Sequence, residues 1–185
     1  ITDDVRDAMK SLDLPGMRVL LFAFDGDPGN LHLPQNHPEE SIAYTGTHDT
    51  NTARGWFREE ASEQVRQNLF TLLGRQVTEE EVSWELIGLA SNSKARLSIF
   101  PVQDILSLGS EARMNRPAMA KDNYLWKLTN AQLESLPVSR LRKMATDSNR
   151  LVFTAAPPIA PTGGTLDPEE GVVLANTFYS HFLYE

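Results

Sequence analysis

Three short apolar runs and several stretches of helical spacing organise this chain. Around Ile42-Ala43-Tyr44-Thr45 a partly apolar run gives way to Gly46 and a set of polar residues, after which Ala53, Trp56 and Phe57 recur at helical spacing. That order predicts strand, turn, helix, with the helix running from about Asn51 to Glu60. The run from Met17 to Phe24 is too short and continuous for an amphipathic helix and predicts a buried parallel strand; Leu97 to Val102 predicts another. Ahead of them, Thr2 caps a predicted helix with Asp3 and Asp4 in its first turn, Val5, Met9 and Leu12 as its apolar stripe, and Pro15-Gly16 at its end. A helix is predicted after Ser62, carrying Val65, Leu69, Leu72 and Leu73 and closing at Gly74. Thr78 and Glu81 form a capping-box pair ahead of Val82, Trp84, Leu86, Ile87 and Leu89, with Trp84 read as core, and Thr129 with Gln132 forms a second. Val138, Leu141 and Met144 mark a final helix. From about Asp147 the character changes: residues 155–164 are rich in Pro, Gly and Ala and read as a linker or tail, followed by an apolar and aromatic stretch over 171–184 that could dock as a last element.

Each predicted strand ends in polar residues: Asp25 after Phe22, Thr47 to Asp49, and Gln103-Asp104. Several strand ends converging on one rim is the arrangement in which α/β barrels place their chemistry. His48 and Asp49 therefore stand where a base, a ligand or a charge stabiliser is wanted, with the competing reading that Asp49, Thr50 or Asn51 merely caps the next helix. The long loop after the first strand carries Asp25, Asp27, His32, Asn36 and His37, a density more common in functional loops, although Asp-Gly and Asp-Pro pairs are also ordinary turn chemistry. Its two histidines have no further ligand at metal-site spacing, so no metal is expected there. Tyr124 and Trp126 sit beside polar loops, where aromatics either cover the apolar faces of sugar rings or pack a closing helix.

Composition narrows the field. With 185 residues, 41% of them hydrophobic, the chain can build one ordinary globular domain but is short of the roughly 250 residues typical of a complete eight-fold barrel. The absence of cysteine removes disulfides, thiolate nucleophiles and cysteine-bound zinc, and suits a reducing compartment. A formal net charge of −8 argues against a nucleic-acid partner, whereas neutral ligands such as sugars fit. No apolar run approaches the ~20 residues needed to cross a bilayer, and the amino terminus lacks a basic-then-apolar signal pattern, so a soluble, cytoplasmic chain is expected. Because Thr2-Asp3-Asp4 reads as a helix already starting, the chain is expected to be the carboxyl-terminal portion of something longer.

Six segments taken together are more specific. Leu14 to Leu20, Phe22-Ala23-Phe24-Asp25, Leu33-Pro34-Gln35-Asn36, Tyr44 to Trp56, Pro101-Val102-Gln103-Asp104 and Gly109-Ser110-Glu111-Ala112-Arg113-Met114-Asn115 follow one another in the order and rough spacing of a known family. Over about 1–136 the chain resembles the 4-α-glucanotransferases, the amylomaltases or disproportionating enzymes of glycoside hydrolase family seventy-seven. The resemblance implies an α/β fold, the C-terminal part of a (β/α)8 TIM barrel contributing about three parallel strands; with the change in composition at Asp147, 1–146 is assigned to the barrel and 147–185 to a Pro/Gly-rich tail of its own. It implies transfer of α-1,4-glucan segments between maltooligosaccharides, or starch- or glycogen-derived glucans, with retention and without metal or organic cofactor. Retention needs two close carboxyl groups, and in this family both lie upstream of the matched region, the acid/base just before Ile1. A third family aspartate, preceded by a histidine, holds the distorted sugar; the matching positions are Asp49 and His48. Phe22 and Asp25 match the end of strand six near the bound sugar, and Asn115 matches a loop edging the acceptor side. Departures from the common pattern are Pro34-Gln35-Asn36-His37, Thr50, Arg116-Pro117-Ala118 and the Tyr124/Trp126 pair. The alternatives are a non-catalytic carbohydrate-binding or remnant module and an α-amylase-type hydrolase.

Overall fold

Three short parallel strands form the sheet of the computed structural model, which describes residues 2–150: β1 (Gly16–Val19), β2 (Ser41–Tyr44) and β3 (Leu97–Ile99), in the order β1-β2-β3. The register pairs Gly16 with Ser41 and Val19 with Tyr44 on one side of β2, and Ile42 with Leu97 and Tyr44 with Ile99 on the other. Parallel strands need long crossovers. The β2 to β3 crossover runs through α2 (Ala53–Gly55), which continues as a π turn over Trp56–Glu60, then α3 (Glu63–Leu73) and α4 (Val82–Ser91). Before the sheet lies α1 (Asp3–Ser11), and after it α5 (Val102–Ile105), α6 (Asn130–Glu134) and α7 (Val138–Asp147).

Local chemistry accounts for several of these boundaries. Ser62 caps α3 by accepting the Val65 N–H at 3.3 Å, and Gly74 ends it at φ 70°, a left-handed conformation that glycine adopts without steric cost. Thr129 and Gln132 form the full reciprocal box on α6. At α4 only half of the expected box is made: Glu81 Oε2 accepts the Thr78 N–H at 2.9 Å, and the helix itself begins one turn later.

Two predicted strands are shorter than their apolar runs. At Leu20 the chain tightens into a 3₁₀ turn, Leu20–Phe22, which keeps Leu20 and Leu21 buried and turns Phe22 outward; the seam with β2 continues through the Leu21 N–H on Thr45 O at 3.2 Å. After Ile99 the run passes through Pro101 directly into α5.

The core lies between the sheet and its helices, around Leu20, Leu69, Val82, Leu86, Ile87 and Ile105, with Trp84 buried as expected and the Arg140 guanidinium 3.8 Å above its ring. Ser98 donates to Ala90 O of α4, so by strand alternation the row Ala43–Ser98 faces the helices and the row Met17–Ile42–Leu97 faces the other way. That second face is apolar and only partly covered. The stripe predicted on α1 is likewise only partly covered: Val5 and Leu12 are exposed and Met9 is partly buried. Arg150, beyond α7, donates to the carbonyls of Ala90, Ser91, Ser93 and Ala95, tying the last described residue to the end of α4. The Pro-rich tail and the terminal apolar stretch fall outside the described residues. Among those described, no helix is long and apolar enough to cross a membrane.

Candidate active site

Beyond β2 the chain makes a compact loop whose two ends are fastened to one buried carboxylate. Thr45 Oγ1 donates to Asp104 Oδ2 at 2.5 Å, and the Ala53 N–H donates to Asp104 Oδ1 at 2.8 Å. Asp104 is fully buried, and burial pushes its carboxyl up to about 6 although both hydrogen bonds favour the ionised form. Between these fixed ends, Gly46 makes room for Thr50, whose Oγ1 would stand 2.6 Å from any Cβ at position 46. Thr50 in turn closes the turn by accepting the Thr47 N–H at 2.9 Å and donating from its own N–H to Thr47 O at 3.2 Å.

His48 and Asp49 occupy the tip of that turn. The helix cap is Thr52, which accepts the Gly55 N–H at 3.0 Å, so Asp49, Thr50 and Asn51 are not needed as caps. Asn51 is instead buried, and its amide donates to Glu60 Oε1 at 2.9 Å and Ser110 Oγ at 3.0 Å. Asp49 is half exposed, with Oδ1 accepting from Asn115 Nδ2 at 2.5 Å and lying 3.3 Å from His48 Nε2. No hydrogen bond within the described residues engages Oδ2. Arg113 adds a bond to the Asp49 carbonyl. Beside the loop lies a cavity of about 140 Å³ whose lining includes Thr47, His48, Thr52, Gln103 and Arg113. The exposed Tyr124 ring stands 6.4 Å from the His48 ring, and its N–H donates to Met114 O.

His48, Asp49 and Asn115 are thus brought together, and Tyr124 joins them. Phe22 and Asp25 sit on the neighbouring strand end and make their contacts within their own loop. Phe22 is exposed, edge-on to His32 at 5.6 Å, with its carbonyl taking the Asn30 amide at 2.8 Å. Asp25 accepts the Asp27 N–H at 3.0 Å, and the Asn30 amide, followed by that N–H, holds its carboxyl below the usual carboxylate range. The two loop histidines work as fasteners: His32 Nδ1 accepts the Val19 N–H at 3.0 Å, and His37 Nε2 lies 3.0 Å from His32 O. Burial lowers both from the ordinary histidine value. Among the described residues no group of three or more His, Cys, Asp or Glu side chains could hold a metal ion.

Sequence reasoning missed Arg113 and the burial of Asp104. Arg113 lies inside the Ser110 to Asn115 run, but no local spacing signals that it reaches back to Asp49. Asp104 was legible only as one more polar strand end.

Comparison with known proteins bears on this geometry. A family profile described as 4-alpha-glucanotransferase, glycoside hydrolase family 77, matches residues 1–133. The chain is 48% identical over 134 residues to the 4-alpha-glucanotransferase of Synechocystis, covering 72% of this chain and 26% of that protein. It is 42% identical over 156 residues to the Thermus thermophilus enzyme of the same name, covering 82% and 31%, and 43% identical over 154 residues to the chloroplastic/amyloplastic 4-alpha-glucanotransferase DPE1 of rice, covering 82% and 26%. Among solved structures, an amylomaltase from Streptococcus agalactiae in complex with acarbose superposes with a TM-score of 0.73 at 25% identity, over 81% of this chain and 30% of that one. The three parallel strands and their helices are accordingly the α/β architecture of a segment of that TIM-barrel fold, and the chain spans between a quarter and a third of the length of these relatives. On the extent of the profile match, this chain belongs to the 4-alpha-glucanotransferase family.

Proposed function

We propose that this chain supplies one corner of a retaining glucan-transfer centre in a longer enzyme, with Asp49 as the transition-state stabiliser. The observation that carries the reading is the Asp49 carboxylate, half exposed in the loop beyond β2, with one oxygen held by Asn115 and the other without a hydrogen bond from the described residues. Retention proceeds by two displacements. A nucleophilic carboxylate displaces the glycosidic oxygen at the anomeric carbon while a carboxylic acid protonates the departing chain; the same group, now a base, takes the proton from an acceptor hydroxyl that displaces the enzyme. Both groups are assigned to polypeptide upstream of Ile1. Asp49 accepts hydrogen bonds from the hydroxyls beside the anomeric carbon, and these bonds strengthen as the ring flattens and gains positive charge, so they lower the barrier more than they tighten the ground state. His48, 3.3 Å away, orients the carboxylate and shares the same hydroxyls.

Asn115, and Phe22 with Asp25 on the adjacent rim, are assigned to substrate binding, and the ligands are maltooligosaccharides or starch- and glycogen-derived glucans. No cofactor is assigned a role. The barrel portion is taken as 1–146 and the remainder as a tail, and the cysteine-free chain is assigned to the cytoplasm.

In the complete enzyme, Asp49→Asn is expected to reduce turnover by on the order of 10²–10³-fold while maltooligosaccharide binding survives. Near-normal turnover in that variant refutes the assignment. Product analysis of the parent separates transfer from hydrolysis, since only a transferase makes oligomers longer than its substrate. The 185-residue chain alone, incubated with maltotriose, is expected to release no glucose.

A further inference from the structure

Arg113 ties its own loop to two places more than fifty residues earlier in the chain. Its Nη1 donates to Glu60 Oε1 at 2.7 Å, at the end of the π turn; its Nη2 donates to the Asp49 carbonyl at 3.2 Å, at the loop tip; and its Nε donates to the Asn115 carbonyl at 2.8 Å. The side chain is only 14% exposed, against 42% for Glu60. The same Glu60 oxygen, Oε1, also accepts from the buried Asn51 amide at 2.9 Å. The guanidinium therefore spans from a braced carboxylate to the two backbone carbonyls whose side chains meet in the Asn115–Asp49 hydrogen bond.

We infer that Arg113 is a positioning residue for glucan transfer, holding the backbones of Asp49 and Asn115 together so that the Asp49 carboxylate is set before substrate arrives. The inference rests on the reading of Asp49 given above. The planar guanidinium is suited to this because its donors point in fixed, diverging directions, so one side chain specifies three acceptor positions at once. Lysine offers one flexible point charge and cannot reproduce that spread. A plain surface ion pair with Glu60 would need neither the burial nor the two carbonyl contacts. Without Arg113 the carbonyls of Asn115 and Asp49 lose their shared tie, and the amide that holds Asp49 Oδ1 can shift relative to it. A displacement of about 1 Å at a reacting centre costs on the order of a hundredfold in rate.

The test compares kcat and KM of the complete enzyme with those of Arg113→Met and Arg113→Lys. Arg113→Met is expected to lower kcat about a hundredfold with a much smaller rise in KM, and Arg113→Lys to recover only part of the loss. A merely structural role would move the melting temperature without separating kcat from KM. Should Arg113→Met fail to fold, Arg113→Lys is combined with Asn115→Ala: the two losses are expected to be non-additive because arginine acts through the asparagine, and additive losses overturn the proposal. A kcat within twofold of the parent in folded Arg113→Met also overturns it. Asp49→Asn is measured in parallel, so that if it alone retains turnover, the reading of Asp49 has failed and the role of Arg113 falls with it.

Discussion

Asp104 makes the stability of this chain depend on pH in an unusual direction. Its carboxyl is raised from 3.8 to about 6 in the folded state by burial, with only the Thr45 hydroxyl and the Ala53 N–H opposing that shift. Because the folded pKa is the higher one, the folded state holds the proton more tightly than the unfolded chain. The stabilisation from protonation is complete below the unfolded value and is lost as pH rises through about 6. A shift of about two units corresponds to about 3 kcal/mol at 1.36 kcal/mol per unit. Other carboxylates, including Glu59, Glu79 and Glu81, are held low by hydroxyl, guanidinium and backbone N–H partners and pull in the opposite direction. The informative quantity is therefore a difference. Asp104→Asn keeps both contacts, since the amide oxygen accepts from Ala53 and the amide nitrogen donates to the Thr45 hydroxyl, but it removes the charge. Urea unfolding of parent and variant, followed by tryptophan fluorescence, is expected to give a stability difference favouring Asn that grows by about 2 kcal/mol between about pH 4 and pH 7. Trp56 is a suitable reporter because it is buried in the π turn that follows directly on α2, whose first N–H donates to Asp104. A difference that stays flat across that range refutes the argument.

Three further outcomes are expected. Gly55→Ala would place a Cβ 2.4 Å from Ser110 Oγ and 2.5 Å from Asn51 Oδ1, and should lower the urea midpoint by an amount equivalent to about 1–3 kcal/mol. Tyr124→Ala, at an exposed ring beside His48, should weaken maltooligosaccharide binding to the complete enzyme by about 1 kcal/mol, read as a several-fold rise in Kd by calorimetry, with the melting temperature unchanged. With Val5, Leu12, Leu14 and Met17 exposed and the second sheet face only partly covered, the isolated chain should self-associate as its concentration rises. Light scattering that reports a compact monomer throughout would contradict that expectation.

The strands were legible because both faces of the sheet carry apolar side chains, which leaves short apolar runs, and Met17, Ile42 and Leu97 each fall inside one. Their ends were not, because the turn at Leu20 depends on the Thr45 carbonyl meeting the Leu21 N–H, a partner in another strand. The helix predicted from Asn51 to Glu60 illustrates the same limit. Its start moves to Ala53 because the Asn51 amide is drawn to Ser110, fifty-nine residues away, and Thr52 takes over the cap. The position of Asp49 at the rim was readable from strand-turn-helix order and its family match. The means by which it is held, through Asn115 and Arg113, was not, since hydrogen bonds between loops leave no periodic trace in sequence.

The imidazole of His32 has a consequence for assembly. Gly16 sends its N–H to Glu40 on the β2 side, so alternation turns the N–H groups of Met17 and Val19 toward the free margin of β1. His32 already occupies the Val19 donor. Any polypeptide that comes to lie alongside β1 thus finds its final rung taken, and must peel away before Val19. One ring nitrogen in this way fixes how far a neighbour can climb, leaving the mouth above β1 clear of added backbone.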